Sequence, residues 1–402
     1  MRLFEDIVKA QKRMAGIIHK TPLDYSKTFS EIAQNEVYLK LENLQKTGSF
    51  KVRGSYNKMI SLEPDEVKHG VVAASAGNHA QGVAYSSNML GIDCRIIMPK
   101  GAPLSKIQAT RMYGANVELH GDSFDEALAY ALDLKERESA AFVHAFDDEA
   151  VIAGQGTVGL EIMEQLPDVE AIICPVGGGG LIAGIAMAVK ETNPAIQVFG
   201  IEALACPSLV ESLKQNMPVT VDALPTMADG IAVKKPGKST FDIIQRYVDG
   251  VFCVEEMEIA RAMLMLLERN KLLVEGSGAS SLAALLYQKI EIKHKKTVAV
   301  ISGGNVDVNF ISRIIERGMV EAGRFVHLEL ILKDKPGNLE KVLKDITEQQ
   351  GNVLDISLTH MGENIYPGYA QLSLSIETRD HHHIEHIFSN LKTKGYTPKL
   401  IS

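Results

Sequence analysis

The stretch from Ala171 to Val189, AIICPVGGGGLIAGIAMAV, carries no charged residue and admits two architectures. As one helix it is long enough to cross a bilayer. However, Pro175 and the four successive glycines Gly177, Gly178, Gly179 and Gly180 interrupt it in the middle, where such a helix would have to be continuous. The two halves instead read as a buried strand and a buried helix joined by a glycine turn. That reading makes the fold α/β and excludes a membrane span.

The same alternation extends in both directions. GVVAAS (70–75), CRIIMP (94–99), ANVELH (115–120), VFGIE (198–202) and TVAVIS (297–302) are short, apolar and rich in β-branched residues. Between them lie helical patterns such as NHAQGVAYSSNML and SFDEALAYALDLKERES. Strands apolar on both faces, separated by helices, predict a parallel sheet covered on both sides, here in two lobes. The pattern changes after ERGMVEAGR (316–324). From Phe325 it runs strand, helix, strand, strand, helix, strand, the βαββαβ order of ferredoxin-like folds. Within it, KDKPGNLEKV sets Pro336 and Gly337 just before a helix, a turn whose free amides can hold a small carboxylate or simply start the helix.

Composition narrows the function. A net charge of −8 argues against a nucleic-acid partner, which needs a basic surface. The four cysteines, Cys94, Cys174, Cys206 and Cys253, form no CxxC pair and suggest neither a zinc knuckle nor a disulfide framework. The N-terminal segment MRLFEDIVKAQKRMAG is charged throughout and does not read as a secretory leader. A cytoplasmic protein is expected. DHHHIEH (380–386) reads as a solvated helix start, without partners placed for a metal.

Several motifs carry chemistry. In CPVGGGGLIAGIA (174–186) amides without Cβ atoms lead into a helix N-terminus, which together can cradle a phosphate. A dinucleotide site competes, because Gly178, Gly180 and Ala183 satisfy G-x-G-x-x-G/A and Glu202 ends a following strand. This window alone leaves both open. SAGNHAQG (75–82) groups Ser75, Gly77, Asn78, His79 and Gln81 at a helix start, either a carboxylate site or a helix capped by Ser75 or Asn78. VEGSGASS (274–281) supplies Glu275, and VISGGN (300–305) ends a strand with the hydroxyl of Ser302. In KTGSFKVRG (46–54), Lys51 lies between Phe50 and Val52, either a solvated cation or a reactive amine. These loops are expected to meet at the C-terminal edge of one parallel sheet. An amine, a phosphate cradle, a carboxylate cradle and a lone hydroxyl together suit pyridoxal phosphate.

In this order, GSFKVRG, SAGNHAQG, PVGGGGLIAG, MADGIAV and VISGGN resemble the fold-type II pyridoxal-phosphate enzymes of the threonine dehydratase group. The likeness spans roughly residues 1–320, and the tail resembles an ACT regulatory domain, as in medium-length threonine ammonia-lyases. It implies a two-lobed catalytic domain over 1–322, with a smaller lobe inserted at about 45–150, and an ACT domain over 323–402. The resemblance implies that Lys51 bonds the cofactor's aldehyde and then serves as base at Cα. Phe50 would pack beside the ring and Asn78 would bond the 3-oxygen. Gly177, Gly178, Gly179, Gly180 and Leu181 would hold the phosphate, and Ser302 would face the ring nitrogen. Ser75, Ala76, Gly77 and His79 would grip the substrate carboxylate.

The implied reaction is β-elimination of L-threonine to 2-oxobutanoate and ammonia, and of L-serine to pyruvate, under a small effector bound by the tail of a homodimer or homotetramer. The alternatives are a serine racemase or serine-preferring dehydratase, a nicotinamide-dependent dehydrogenase built on the glycine run, and an amino-acid sensor with an inactive core. Ala76 stands where the similar racemases have a proton-carrying serine. Ser208 stands where they have an aspartate near a divalent metal, which leaves a metal undecided.

Overall fold

The computed structural model describes residues 2–362 and 365–401, leaving aside the side chains of Val308 and Asn309. It divides into two compact units, residues 1–307 and 308–402, so the helix Val308–Glu321 falls in the second unit.

In the first unit the strands are β1 (Leu23–Tyr25), β2 (Glu36–Leu41), β3 (Val71–Ala74), β4 (Cys94–Met98) and β5 (Asn116–Leu119). They continue with β6 (Ala141–Phe142), β7 (Ala171–Pro175), β8 (Gln197–Ala203), β9 (Gly250–Val254) and β10 (Lys296–Ile301). They form two sheets, one for each of the two lobes expected, so the loops of the site do not share the edge of a single sheet. One has the order β1-β2-β10-β7-β8-β9 and is parallel except for β1. The other, β5-β4-β3-β6, is wholly parallel and forms the smaller lobe. An apolar run specifies burial on both faces but does not name its lateral neighbour. The stretch that opened the reading is strand Ala171–Pro175, then the glycine turn, then helix Gly180–Thr192. No helix among the described residues is long and apolar enough to cross a membrane.

One helix organises the unit. Glu149–Gln165 starts where the Asp148 carboxylate accepts from the amides of Ala150 and Val151, and it ends at Leu166, before Pro167. Its glycines let two other helices approach at backbone distance. A Cβ on Gly154 would lie 2.4 Å from the Arg53 carbonyl oxygen, in the helix Lys51–Ile60. A Cβ on Gly184, in the helix after the glycine turn, would lie 2.5 Å from the amide nitrogen of Gly156. The same contact region holds a charge-balanced buried cluster. Arg53 is bonded by Glu42 at 2.7 and 2.8 Å and by Glu161 at 2.6 and 2.9 Å, and Glu161 also binds Lys40 at 2.7 Å. Of the three cations in KTGSFKVRG, Arg53 is therefore structural and Lys46 is exposed.

The second unit places β11 (Phe325–Lys333), β12 (Asn352–Thr359), β13 (Tyr369–Glu377) and β14 (Lys399–Leu400) in one antiparallel sheet, in the order β12-β13-β11-β14. Alternate residues Val326, Leu328 and Leu330 of β11 and Leu372, Leu374 and Ile376 of β13 form its core with helices Asn338–Glu348 and His381–Thr393. Asp380 caps the second of these helices, and His383 is buried with Nε2 2.6 Å from the Gln349 carbonyl. Among the described residues no group of three or more His, Cys, Asp or Glu is placed to hold a metal.

Substituting Gly184→Ala should overpack the crossing and destabilise the protein by about 1–3 kcal/mol. Denaturant unfolding measures this, and full wild-type stability in the variant contradicts the assigned contact.

Candidate active site

Lys51 is the first residue of its helix, and its position is fixed from the sheet. Phe50 donates its amide to the Ser302 carbonyl at 3.1 Å, and Ser49 bridges Gly303, so the end of β10 lies against the residues before the lysine. Ser302 itself is buried. On its other side, Gly82 packs against the first turn of the lysine helix, where an added Cβ would meet the Lys51 carbonyl carbon at 3.1 Å. The amine donates to the carbonyl of Ala145 at 2.9 Å and stands 5.2 Å from the Phe50 ring centre. Burial lowers its pKa to about 8, partly opposed by the Glu275 carboxylate. A neutral, nucleophilic amine is therefore accessible near neutral pH, unlike that of a solvated lysine.

The glycine turn meets the same segment. Built Cβ atoms on Gly178 and Gly180 would lie 2.3 and 3.0 Å from Phe146, next in chain to the Ala145 that receives the amine. Gly179 has φ +94°, in the left-handed region where a side chain is strained, and it begins the following helix without a side-chain cap. Leu181 is buried in that helix's first turn. Thr240 Oγ1 holds the Gly178 carbonyl at 2.7 Å, which commits the turn's acceptor. Asp147 accepts from the amides of Lys238, Ser239 and Thr240 and so ties segment 144–147 to the turn's far side. Sequence reasoning missed this segment, HAFD. The only signal was its place after the two-residue strand β6, as the other motifs follow strands.

The SAGNHAQG loop follows β3. Neither Ser75 nor Asn78 caps the helix Asn78–Leu90. Its N-cap is Gly77 without a side-chain bond, and the Ser75 hydroxyl instead accepts from the Gly77 amide at 3.1 Å. Helices starting after Ser26, Ser123 and Asp148 are capped by those residues, whereas the three at the site, after Gly77, Gly179 and Glu275, are not. Their amides stay available to anions. Ala76 packs on the small-lobe core. The His79 ring is buried with Nε2 2.8 Å from the Val143 carbonyl, so it is a donor there and Nδ1 is the bare acceptor. Burial, aided by Lys51, pushes its pKa down to about 3, which keeps it neutral and leaves only its backbone for the loop.

Glu202 does not offer a ribose-binding carboxylate. It is fully buried and accepts from the amides of Leu209 and Val210 at 2.8 and 2.9 Å, closing the start of helix Ser208–Gln215. Burial raises it to about 7 against those hydrogen bonds. Ser208 donates to the Val233 carbonyl at 2.6 Å.

A sequence profile described as "Pyridoxal-phosphate dependent enzyme" matches residues 14–303. The chain belongs to that family of pyridoxal-phosphate dependent enzymes. It is similar to an L-threonine ammonia-lyase of Thermotoga maritima, 50% identical over 401 residues and all of both chains. Among solved structures it is similar to the processed form of threonine deaminase isoform 2 from Solanum lycopersicum, with TM-score 0.75 and 38% identity over 79% of this chain and 93% of that one. It is also similar to a serine racemase from Dictyostelium discoideum, with TM-score 0.72 and 42% identity over 76% of this chain and 99% of that one.

The residues present fit pyridoxal phosphate. The amine and the glycine turn flank one segment, the turn admits no side chain, and the buried hydroxyls of Ser49 and Ser277 have no partner. Because Lys51 loses its proton near pH 8 rather than 10.5, capture of the coenzyme by the apoprotein should accelerate with pH and reach half its maximum near pH 8. Stopped-flow absorbance measures this, and a midpoint above 10 would place the amine in solvent.

Proposed function

We propose that the chain is an L-threonine ammonia-lyase that converts L-threonine to 2-oxobutanoate and ammonia, and L-serine to pyruvate and ammonia. The observation that carries this reading is the shared segment: Ala145 receives the Lys51 amine while Phe146 packs on the glycine turn. The names of the similar enzymes from Thermotoga and tomato support the same activity.

Bound pyridoxal phosphate supplies an electron sink that weakens the substrate's Cα–H bond and lets the β-hydroxyl leave as water. The chain's residues do the rest. Gly177 to Gly180, with Leu181, would hold the phosphate on amides that no side chain obstructs. Phe50 would flank the ring. Asn78 would donate to the 3-oxygen, and Ser302 would meet the ring nitrogen with a neutral hydroxyl. That hydroxyl does not force the nitrogen to stay protonated as a carboxylate would, which favours prompt loss of the β-substituent over long-lived carbanion chemistry. Ser75, Ala76, Gly77 and the His79 backbone bind the substrate carboxylate at the uncapped helix start. The Lys51 Nζ would take the Cα proton, and its lowered basicity suits that task near neutral pH. Ala76 has no proton to deliver to the opposite face of Cα, so elimination outruns racemisation.

The assigned catalytic domain covers 1–322 and the regulatory domain 323–402. The βαββαβ order of the tail, with the uncapped helix after Gly337, supports an ACT-type module that binds a small effector. A homodimer or homotetramer in the cytoplasm completes the assignment.

Purified protein loaded with coenzyme should release 2-oxobutanoate from L-threonine, and Lys51→Ala should lose that rate by at least about 10²–10⁴-fold. A coupled lactate dehydrogenase assay reads it. No 2-oxo acid from loaded wild-type protein rejects the assignment, and D-serine forming faster than pyruvate from L-serine turns it to racemisation.

A further inference from the structure

A carboxamide has a donor end and an acceptor end of nearly the same shape, so packing alone does not choose which way Asn78 faces. Hydrogen-bond polarity does, and it can be traced from the backbone outward. The Thr47 carbonyl accepts from Asn305 Nδ2 at 2.8 Å, and a carbonyl is never a donor. That contact fixes the nitrogen end of Asn305. The same nitrogen donates to Asn78 Oδ1 at 2.8 Å, with Gln81 Oε1 at 3.5 Å as a third acceptor around it. Asn78 must then turn its nitrogen the other way, where Nδ2 donates to Glu275 Oε1 at 2.7 Å. Burial raises the Glu275 acid to about 7, and once ionised its carboxylate accepts only, so the last link agrees with the first.

The glycines of VISGGN make room for this chain of bonds. A Cβ on Gly303 would lie 2.3 Å from Glu275 Oε1 and 3.2 Å from Asn78 Nδ2. The Gly303 carbonyl also accepts the Glu275 amide at 3.1 Å, which seats the carboxylate. Glu275 is buried, so its bond to Asn78 is not diluted by water.

We propose that Asn305 and Glu275 are positioning residues that hold the Asn78 carboxamide by its two ends, so that its remaining N–H, and not its carbonyl, faces the 3-oxygen of the cofactor. This rests on the reading that Asn78 contacts that oxygen. Turning the amide over would set Oδ1 against the Glu275 carboxylate and Nδ2 against Asn305 Nδ2. Two hydrogen bonds would become two repulsions.

The test uses the full chain reconstituted with pyridoxal phosphate and the variants Glu275→Gln, Asn305→Asp, Asn305→Ala and Asn78→Ala. Three quantities are measured: the visible absorption maximum, the cofactor dissociation constant, and the melting temperature of the apoprotein. Loss of a well-oriented hydrogen bond to the cofactor should weaken binding about tenfold and move the absorption band in Asn78→Ala. Asn305→Asp should reproduce that signature, because an acceptor would replace the donor facing Asn78 Oδ1. Glu275→Gln and Asn305→Ala should shift the band in the same direction by less, each leaving one end held. A purely structural role predicts changes only in proportion to the fall in apoprotein melting temperature, and that result overturns the proposal. So do wild-type bands and affinities within twofold in all Glu275 and Asn305 variants while Asn78→Ala is altered. If Asn78→Ala keeps the wild-type band while Lys51→Ala loses it, the underlying reading of Asn78 falls as well.

Discussion

The site depends on backbone-to-backbone contact at helix Glu149–Gln165. Through Gly154 it touches the helix that begins with Lys51, and through Gly156 it touches the helix that follows the glycine turn. These two helices begin at the Lys51 amine and at the glycine turn, the proposed reactive amine and phosphate cradle. Side chains in cores can hop between rotamers, but main chains in van der Waals contact cannot slide without losing the fit. The separation of amine and cradle is therefore set by three glycines remote from the chemistry. The buried cluster fixes the same crossing in rotation, since a small turn of the lysine helix would pull Arg53 from both Glu42 and Glu161 and leave its charge buried and unpaired.

Around this frame the site leaves polar groups uncommitted where a ligand belongs and commits them elsewhere. Helices after Gly77, Gly179 and Glu275 lack side-chain caps, whereas Asp147 and Glu202 close the helices behind the site with carboxylates. A capped helix end offers little to an anion, and an uncapped one offers several amides and a partial positive charge. The same division separates the lysines. Lys40 donates to Glu161, Gln165 and the Thr21 carbonyl, which uses all three hydrogens of its ammonium group. Lys51 has one carbonyl and the Phe50 ring beneath it, so burial lowers its basicity without a salt bridge to restore it.

Neutrality is enforced at His79 as well. Its ring sits near Lys51 yet is held by the Val143 carbonyl, and burial denies it a charge. His79 is therefore no second base beside the Lys51 amine, in keeping with the elimination proposed above.

The sequence by itself determined the local elements and the chemistry they carry. The predicted runs 70–75, 94–99, 115–120, 171–176, 198–202 and 297–302 are all strands, because residues apolar on both faces have few other low-energy choices. The tetraglycine run declared its turn because only residues without Cβ fit it. Lys51, Asn78 and Ser302 could be proposed from sequence because each sits in a motif whose residue types match one cofactor. Tertiary structure alone decided the order of the strands within the two sheets, that Glu202 caps a helix, that Arg53 is structural, and that Ala145, Phe146 and Asn305 lie against Lys51, the glycine turn and Asn78. β6 is two residues long and β1 three, too short to show periodicity. The remaining facts depend on which distant segment supplies a hydrogen-bond partner, and pairing between Thr47, Asn78, Glu275 and Asn305 leaves no trace in local sequence pattern.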